Sequence, residues 1–149
     1  MRAYFLGNYY LSQIQQGIQA QHATSEMFVE NPTNEILWDW ARNHKTSILL
    51  NGGNSGSLDE VYPFLKVQAD RFSLPIAKFK EDKVSLNDAT TCIGLVLPTE
   101  IYEFMSKYRS WVSYKNSNKS QPDIFAESEI LDHSPYVDIA NLLMDYRLA

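Results

Sequence analysis

The stretch Tyr10 to Val29, YLSQIQQGIQAQHATSEMFV, decides the fold. Leu11, Ile14, Ile18, Ser25 and Phe28 recur at helical spacing and predict a first helix with one buried stripe. Gln15, Gln19, His22 and Glu26 follow at i, i+4, i+7 and i+11, and so share an adjoining face. That face is polar throughout, with its histidine between a glutamine and a carboxylate. A solvated edge with one tolerated histidine is the commoner form of such a row. A row of ligand-facing groups is the sharper reading.

Working outward, Ala3-Tyr4-Phe5-Leu6, closed by Gly7-Asn8, predicts a short buried strand entering this helix. Asn31-Pro32 is a restart signal, with Asn as cap and Pro at the first position of a second helix carrying Ile36, Leu37, Trp40 and Ala41. Thr46 to Leu50 predicts a second strand, running into Asn51-Gly52-Gly53-Asn54-Ser55-Gly56. Such a loop invites comparison with phosphate cradles, but it lacks the Gly-Lys-Ser/Thr that would reach a phosphate and a magnesium ion. Ser57 with Glu60 instead makes a capping box for a third helix bearing Val61, Phe64, Leu65 and Phe72, and Pro63 either kinks that helix or marks its start.

Strands are predicted near residues 3–7, 46–50, 75–80 and 90–97, the last central because it is apolar on both faces. Pro98 opens a helix with Ile101, Phe104 or Met105, Tyr108 and Trp111 or Val112 inward. Ser113 to Pro122 reads as a loop, and Ser134-Pro135 caps a last helix with Ile139, Leu142, Leu143 and Tyr146. Helices and strands alternate throughout. The expected fold is an α/β three-layer sandwich, a small mixed sheet of about four strands with helices on both faces. Residues 1–112 form its α/β domain, and residues 113–149 form a C-terminal extension docked on the same domain.

The chain has 149 residues, 44% hydrophobic and 21% charged, enough for a substantial core in one domain. A formal charge of −5 gives no global attraction to nucleic acid or an anionic membrane, so any such binding must come from a local patch. Cys92 is the only cysteine, which excludes an internal disulfide and a cysteine-based metal cluster, and fits a reducing cytoplasm. Residues 1–10 are too short and polar for a signal peptide, and no apolar run approaches the ~18 residues of a membrane span.

The order of these segments resembles the type 2 peptidyl-tRNA hydrolases of archaea and eukaryotes. That family opens with a strand and a helix reading Gly-Lys-x-Ala-Ala-Gln-x-x-His-Ala, and Gln19, His22 and Ala23 match its Gln, His and Ala. It continues with a Leu-Pro strand, an Asp-Ala-Gly-x-Thr turn, a Thr-x-x-Gly strand and a Pro-opened helix. Here stand Leu74-Pro75, Glu81-Asp82, Thr91-Cys92-Ile93-Gly94 and Pro98, so the likeness runs from about Met1 to Trp111. The chain departs at two places. Ile14-Gln15 replaces Gly-Lys, whose lysine the family is thought to use to hold or polarise the ester. Glu81-Asp82-Lys83-Val84-Ser85 replaces the Asp-Ala-Gly-x-Thr turn, with Asp88-Ala89 as a rival match.

The resemblance implies binding, and in the family hydrolysis, of an aminoacyl- or peptidyl-tRNA end or a related nucleotide. Such chemistry needs an oriented water, stabilisation of an oxyanion and a grip on phosphate. His22, Glu81 or Asp82 could orient the water. Gln15, Gln19, Thr90 and Thr91 could hold substrate or its oxyanion. Lys107 and Arg109 belong to a run from Met105 to Gln121 that also holds Lys115 and Lys119, interleaved with Tyr108, Trp111 and Tyr114 and free of acids. Against that grip, helical period turns Tyr108 and Trp111 toward the core. His22, His44 and His133 have no metal-ligand spacing, so neither metal nor other cofactor is expected. Two other readings stay open. One is a non-catalytic ligand- or protein-binding accessory protein, which a virus could encode, on the same fold. The other is oligomerisation or partner docking through the acidic C-terminal segment with Asp123, Glu127, Glu129, Asp132, Asp138 and Asp145.

Overall fold

Thr90–Leu97 is buried at every position and forms the strand β4, about which the sheet is built. A computed structural model describes residues 1–117 and 131–149. The other strands are β1 (Arg2–Gly7), β2 (Ser47–Asn51) and β3 (Ile76–Lys80), in the order β2-β1-β4-β3. β1 pairs with β2 in parallel, and β4 runs antiparallel to both its neighbours. As a result β1, β2 and β3 all end at the edge of the sheet where β4 begins.

Helices cover both faces, so the molecule is a three-layer α/β sandwich on a four-stranded mixed sheet. α1 (Gln13–Glu30) and α2 (Glu35–Asp39), which continues as a π turn over Trp40–His44, bury Ala23, Met27, Leu37 and Trp40 against Phe5, Ala77 and Cys92. On the opposite face lie α3 (Ser55–Arg71), α5 (Thr99–Asn116) and α6 (Val137–Leu143), around Leu6, Ile76, Ile93 and Leu95. A single turn, α4 (Lys83–Leu86), sits between β3 and β4. Gly94 keeps the α1 face close. A Cβ there would stand 3.0 Å from the Phe5 ring and 3.3 Å from the Met27 methyl. No helix among the described residues is long and apolar enough to cross a membrane.

Several local readings are corrected. The buried face of α1 is Gln16, Gln19, Ala23 and Met27, while Ile14 is 80% exposed and Ile18 44%. At about 100° per residue the buried face thus lies roughly 170° round the helix from the apolar stripe, on nearly the opposite side. Its N-terminal half rests on the polar end of the sheet, where glutamines find partners and isoleucines would not. Asn34, not Asn31, caps α2, and Asn54, not Ser57, caps α3. α3 therefore starts at Ser55, which leaves Pro63 inside it. α5 carries Ser113–Asn116, read as loop, before ending. Tyr136 occupies the cap position of α6, with the Ser134 hydroxyl accepting its N–H. Lys119, Asp123, Glu127 and Glu129 lie outside the described residues.

Candidate functional site

Strand alternation puts Thr90 and Thr91, the first residues of β4, on opposite faces of the sheet. Each hydroxyl is taken by a different helix. Thr91, fully buried, donates to Gln19 Oε1 at 2.7 Å, and Gln19 Nε2 in turn donates to Glu81 Oε1 at 2.6 Å. The Glu81 carboxylate oxygen takes the amide N–H, which turns the amide oxygen toward Thr91, whose hydroxyl can then donate to it. Gln19 occupies one oxygen of Glu81. Among the described residues no hydrogen bond reaches the other, which can accept one from a water or a hydroxyl. Glu81 is itself positioned by its backbone N–H, which donates to Ala89 O at 3.1 Å across the α4 turn.

The floor of this end of the sheet is the β1–α1 connection. Asn8 is buried, donates its backbone N–H to Thr91 O at 3.0 Å, and accepts Tyr10 N–H on its side chain at 3.1 Å. Ser12 then caps α1 reciprocally with Gln15, whose Oε1 accepts the Ser12 N–H at 3.0 Å. Gln15 is exposed and committed to this cap. Gln16, predicted on neither face, is buried, with its amide on Leu11 O at 2.9 Å and its Oε1 unpartnered against Gly7.

His22 lies one turn beyond Gln19, half-buried, with its ring centroid 4.7 Å from that of Phe79. Phe79 precedes Glu81 by two residues, so the imidazole borders the same end of β3. Its Nδ1 is shielded from solvent and has no hydrogen-bond partner among the described residues, Glu26 included. Asp82 does something different. Its carboxylate caps α4 by accepting the Ser85 N–H at 2.7 Å, and that bond holds this exposed group below the usual carboxylate range.

On the other face Thr90 Oγ1 donates to Asp59 Oδ1 at 2.6 Å, and Lys78 Nζ approaches the same oxygen at 3.4 Å. The Thr90 hydroxyl first, then the Lys78 charge, hold the Asp59 carboxyl below its ordinary range against the opposing pull of desolvation. Ser55 Oγ accepts the Thr90 N–H at 2.9 Å. The sequence reading did not pick out Ser55, Asp59 or Lys78. Ser55 and Asp59 stand at i, i+4 on the first turns of α3, a spacing that puts both on one helix face. The glycine loop before them is closed on itself. Gly52 N–H goes to Gly7 O, Gly53 N–H to Asn51, and Ser57 N–H to Asn54, so these amides are not turned to a phosphate.

Lys107 and Arg109 are not at this end of the sheet. They line a separate groove of about 1110 Å³ over β1 and β2, on the α5 face, with Arg2 and Arg147. Tyr108 is buried and Trp111 packs against the same core, as helical period required. Lys115 pairs with Asp132, and Asp138 with Arg71, so two of the acids in the C-terminal segment are engaged within the chain. No family model and no curated protein matches the sequence.

Proposed function

We propose that the protein is a divergent peptidyl-tRNA hydrolase-like binder that holds an aminoacyl- or peptidyl-tRNA end, or a related nucleotide, at the Gln19–Glu81–Thr91 site. The observation that carries this reading is the Thr91–Gln19–Glu81 hydrogen-bond chain, with His22 on Phe79 beside it. It lies outside the carboxyl ends of three strands, where open α/β sheets commonly bind ligands. The order of the quoted motifs supports it: Leu74-Pro75 leads into β3, Thr91 to Gly94 lies in β4, and Pro98 opens α5. Glu81 orients a water or a ribose hydroxyl through its second oxygen. The Gln19 amide keeps that carboxylate in place.

Hydrolysis is slow or absent in this proposal, and one feature favours the non-catalytic form. Gln15, at the lysine position of the resemblance, is neutral and its carbonyl is spent on the α1 cap. Losing one transition-state donor typically costs ~10²–10³ in rate, while ground-state binding survives. The site needs no metal or cofactor, and a buried, reduced Cys92 suits a cytoplasmic protein. The test is turnover of a peptidyl-tRNA by the native protein, Gln15→Lys and His22→Ala, beside binding of an uncleavable amide-linked aminoacyl-adenosine. Binding by all but the most damaged variant, with turnover gained only in Gln15→Lys, is the expected result. Brisk native turnover lost in His22→Ala would make it an enzyme. No turnover and no binding would refute the proposal and leave a protein partner or self-association through the C-terminal segment.

A further inference from the structure

The described residues carry a second surface whose charge runs against that of the whole chain. The groove between α5 and the C-terminal residues 143–148 has an apolar floor of Tyr4, Ile48 and Leu50, from the parallel pair β1–β2. Its rim holds Arg2, Lys107, Arg109 and Arg147 against only Glu103 and Asp145. Four of the 13 basic residues of a chain with net charge −5 are therefore gathered at one groove. None of the ion pairs among the described residues engages any of the four. Excess acid elsewhere has not been used to neutralise them. Arg109 donates instead to the Met144 carbonyl, which ties α5 to the end of α6 and fixes one wall.

Rings accompany the cations. The Arg2 guanidinium lies 4.3 Å over the Tyr102 ring, and Tyr146 lines the opposite wall, half-buried. Such a cation–aromatic stack is a flat platform on which an unpaired base can lie, while neighbouring cations meet its phosphates. The groove's volume of about 1110 Å³ exceeds the ~300–1,000 Å³ of small-ligand pockets. From the coincidence of four cations without an acidic partner among the described residues, an aromatic ring under one of them and a second ring in the lining, we propose that this groove binds a short single-stranded polynucleotide. The inference does not depend on the ester-binding site, which lies at the strand ends and uses α1.

Fluorescence anisotropy tests it, with a labelled ten-nucleotide oligouridylate, the matching DNA strand and a duplex of the same length. The full chain binds the single strands in low salt, with log K falling against log[salt] at a slope of about −2, from three phosphate contacts by Arg2, Lys107 and Arg147 at about −0.7 each, Arg109 being held on the Met144 carbonyl. Lys107→Ala and Arg147→Ala, both at exposed positions, keep the fold by circular dichroism and each make the slope shallower by about 0.7. Tyr102→Leu weakens binding by about tenfold through lost stacking. The ratio of RNA to DNA affinity identifies the natural strand. Gln19→Leu leaves oligonucleotide affinity unchanged, which separates failure here from failure at the other site. No saturable binding in low salt would overturn the proposal. So would binding indifferent to Lys107→Ala and Arg147→Ala, or equal affinity for duplex and for inorganic polyphosphate.

Discussion

Replacing Thr91 by valine removes one hydroxyl from the centre of the site and almost nothing else. The two side chains have similar volume, so no cavity term is added. The lost group donates to Gln19 Oε1 at 2.7 Å where Thr91 is fully buried and Gln19 is only 6% exposed. Water cannot replace the donor there. Leaving a buried acceptor unpaired costs about 1–3 kcal/mol. Turning the amide over does not help, because its NH₂ would then face valine and its oxygen would face the Glu81 carboxylate. Thr91→Val should therefore lower stability by about 2 kcal/mol, or roughly 4–8 °C in Tm for a domain of this size. The double variant Gln19→Leu/Thr91→Val removes both partners, and the two effects should fall short of additive by about 1–2 kcal/mol. Urea unfolding of the four proteins measures the cycle. Additivity within about 0.5 kcal/mol, or a Thr91→Val protein as stable as the native one, would refute the buried chain.

Three further outcomes follow from the packing. The register of α1 predicts that Ile14→Ser changes stability by less than about 0.5 kcal/mol, whereas Met27→Ala costs about 2–5 kcal/mol in chemical denaturation; the reverse ranking would restore the apolar-stripe orientation. Cys92 is wholly buried and its thiol is pushed up to about 12 by desolvation, so thiol reagents should label it only at the rate of unfolding. The raised value also means that its contribution is complete below the ordinary thiol range and is lost as the pH climbs toward 12, visible as falling stability above about pH 9. Asp59 carries the opposite sign: its lowered pKa stabilises the fold above the ordinary carboxylate range, and that contribution fades as acid protonates it, by an amount that Thr90→Val should reduce in a pH series of melts.

The sheet was legible because its signals are local. Thr90 to Leu97 is apolar on both faces, and its neighbours alternate or run between clear turn residues, so central and flanking strands could be ordered in the chain. Register and strand order were not, since they depend on contacts between distant segments. The α1 row was legible as a row but not in its orientation. Periodicity assumes that apolar side chains go inward, and here Thr91 and Glu81 offer the inner face hydrogen bonds that Gln19 can complete and Ile18 cannot. Gln19 and Glu81 meet through a hydrogen bond between residues 62 apart, which no local pattern announces, and Asp82 and Gln15 are committed to helix caps. A cap and a catalytic carboxylate look alike in sequence, because both are an Asp or Glu in a polar turn. The Asp59–Thr90 pair joins residues 31 apart and left only the Ser55/Asp59 spacing as a trace. Lys107 and Arg109 were visible as cations, but their companions Arg2 and Arg147 come from the two ends of the chain.

The central claim is that the end of the sheet around Gln19 and Glu81 receives the aminoacyl-nucleotide end of a tRNA. Titration of the isotopically labelled protein with an amide-linked aminoacyl-adenosine, followed by NMR of side-chain amide and imidazole signals, addresses it directly. Saturable shifts of the Gln19 NH₂ and His22 ring resonances, abolished in Glu81→Ala and retained in Lys107→Ala, are the predicted result. Shifts confined to the α5 groove, or none at millimolar ligand, would contradict the claim.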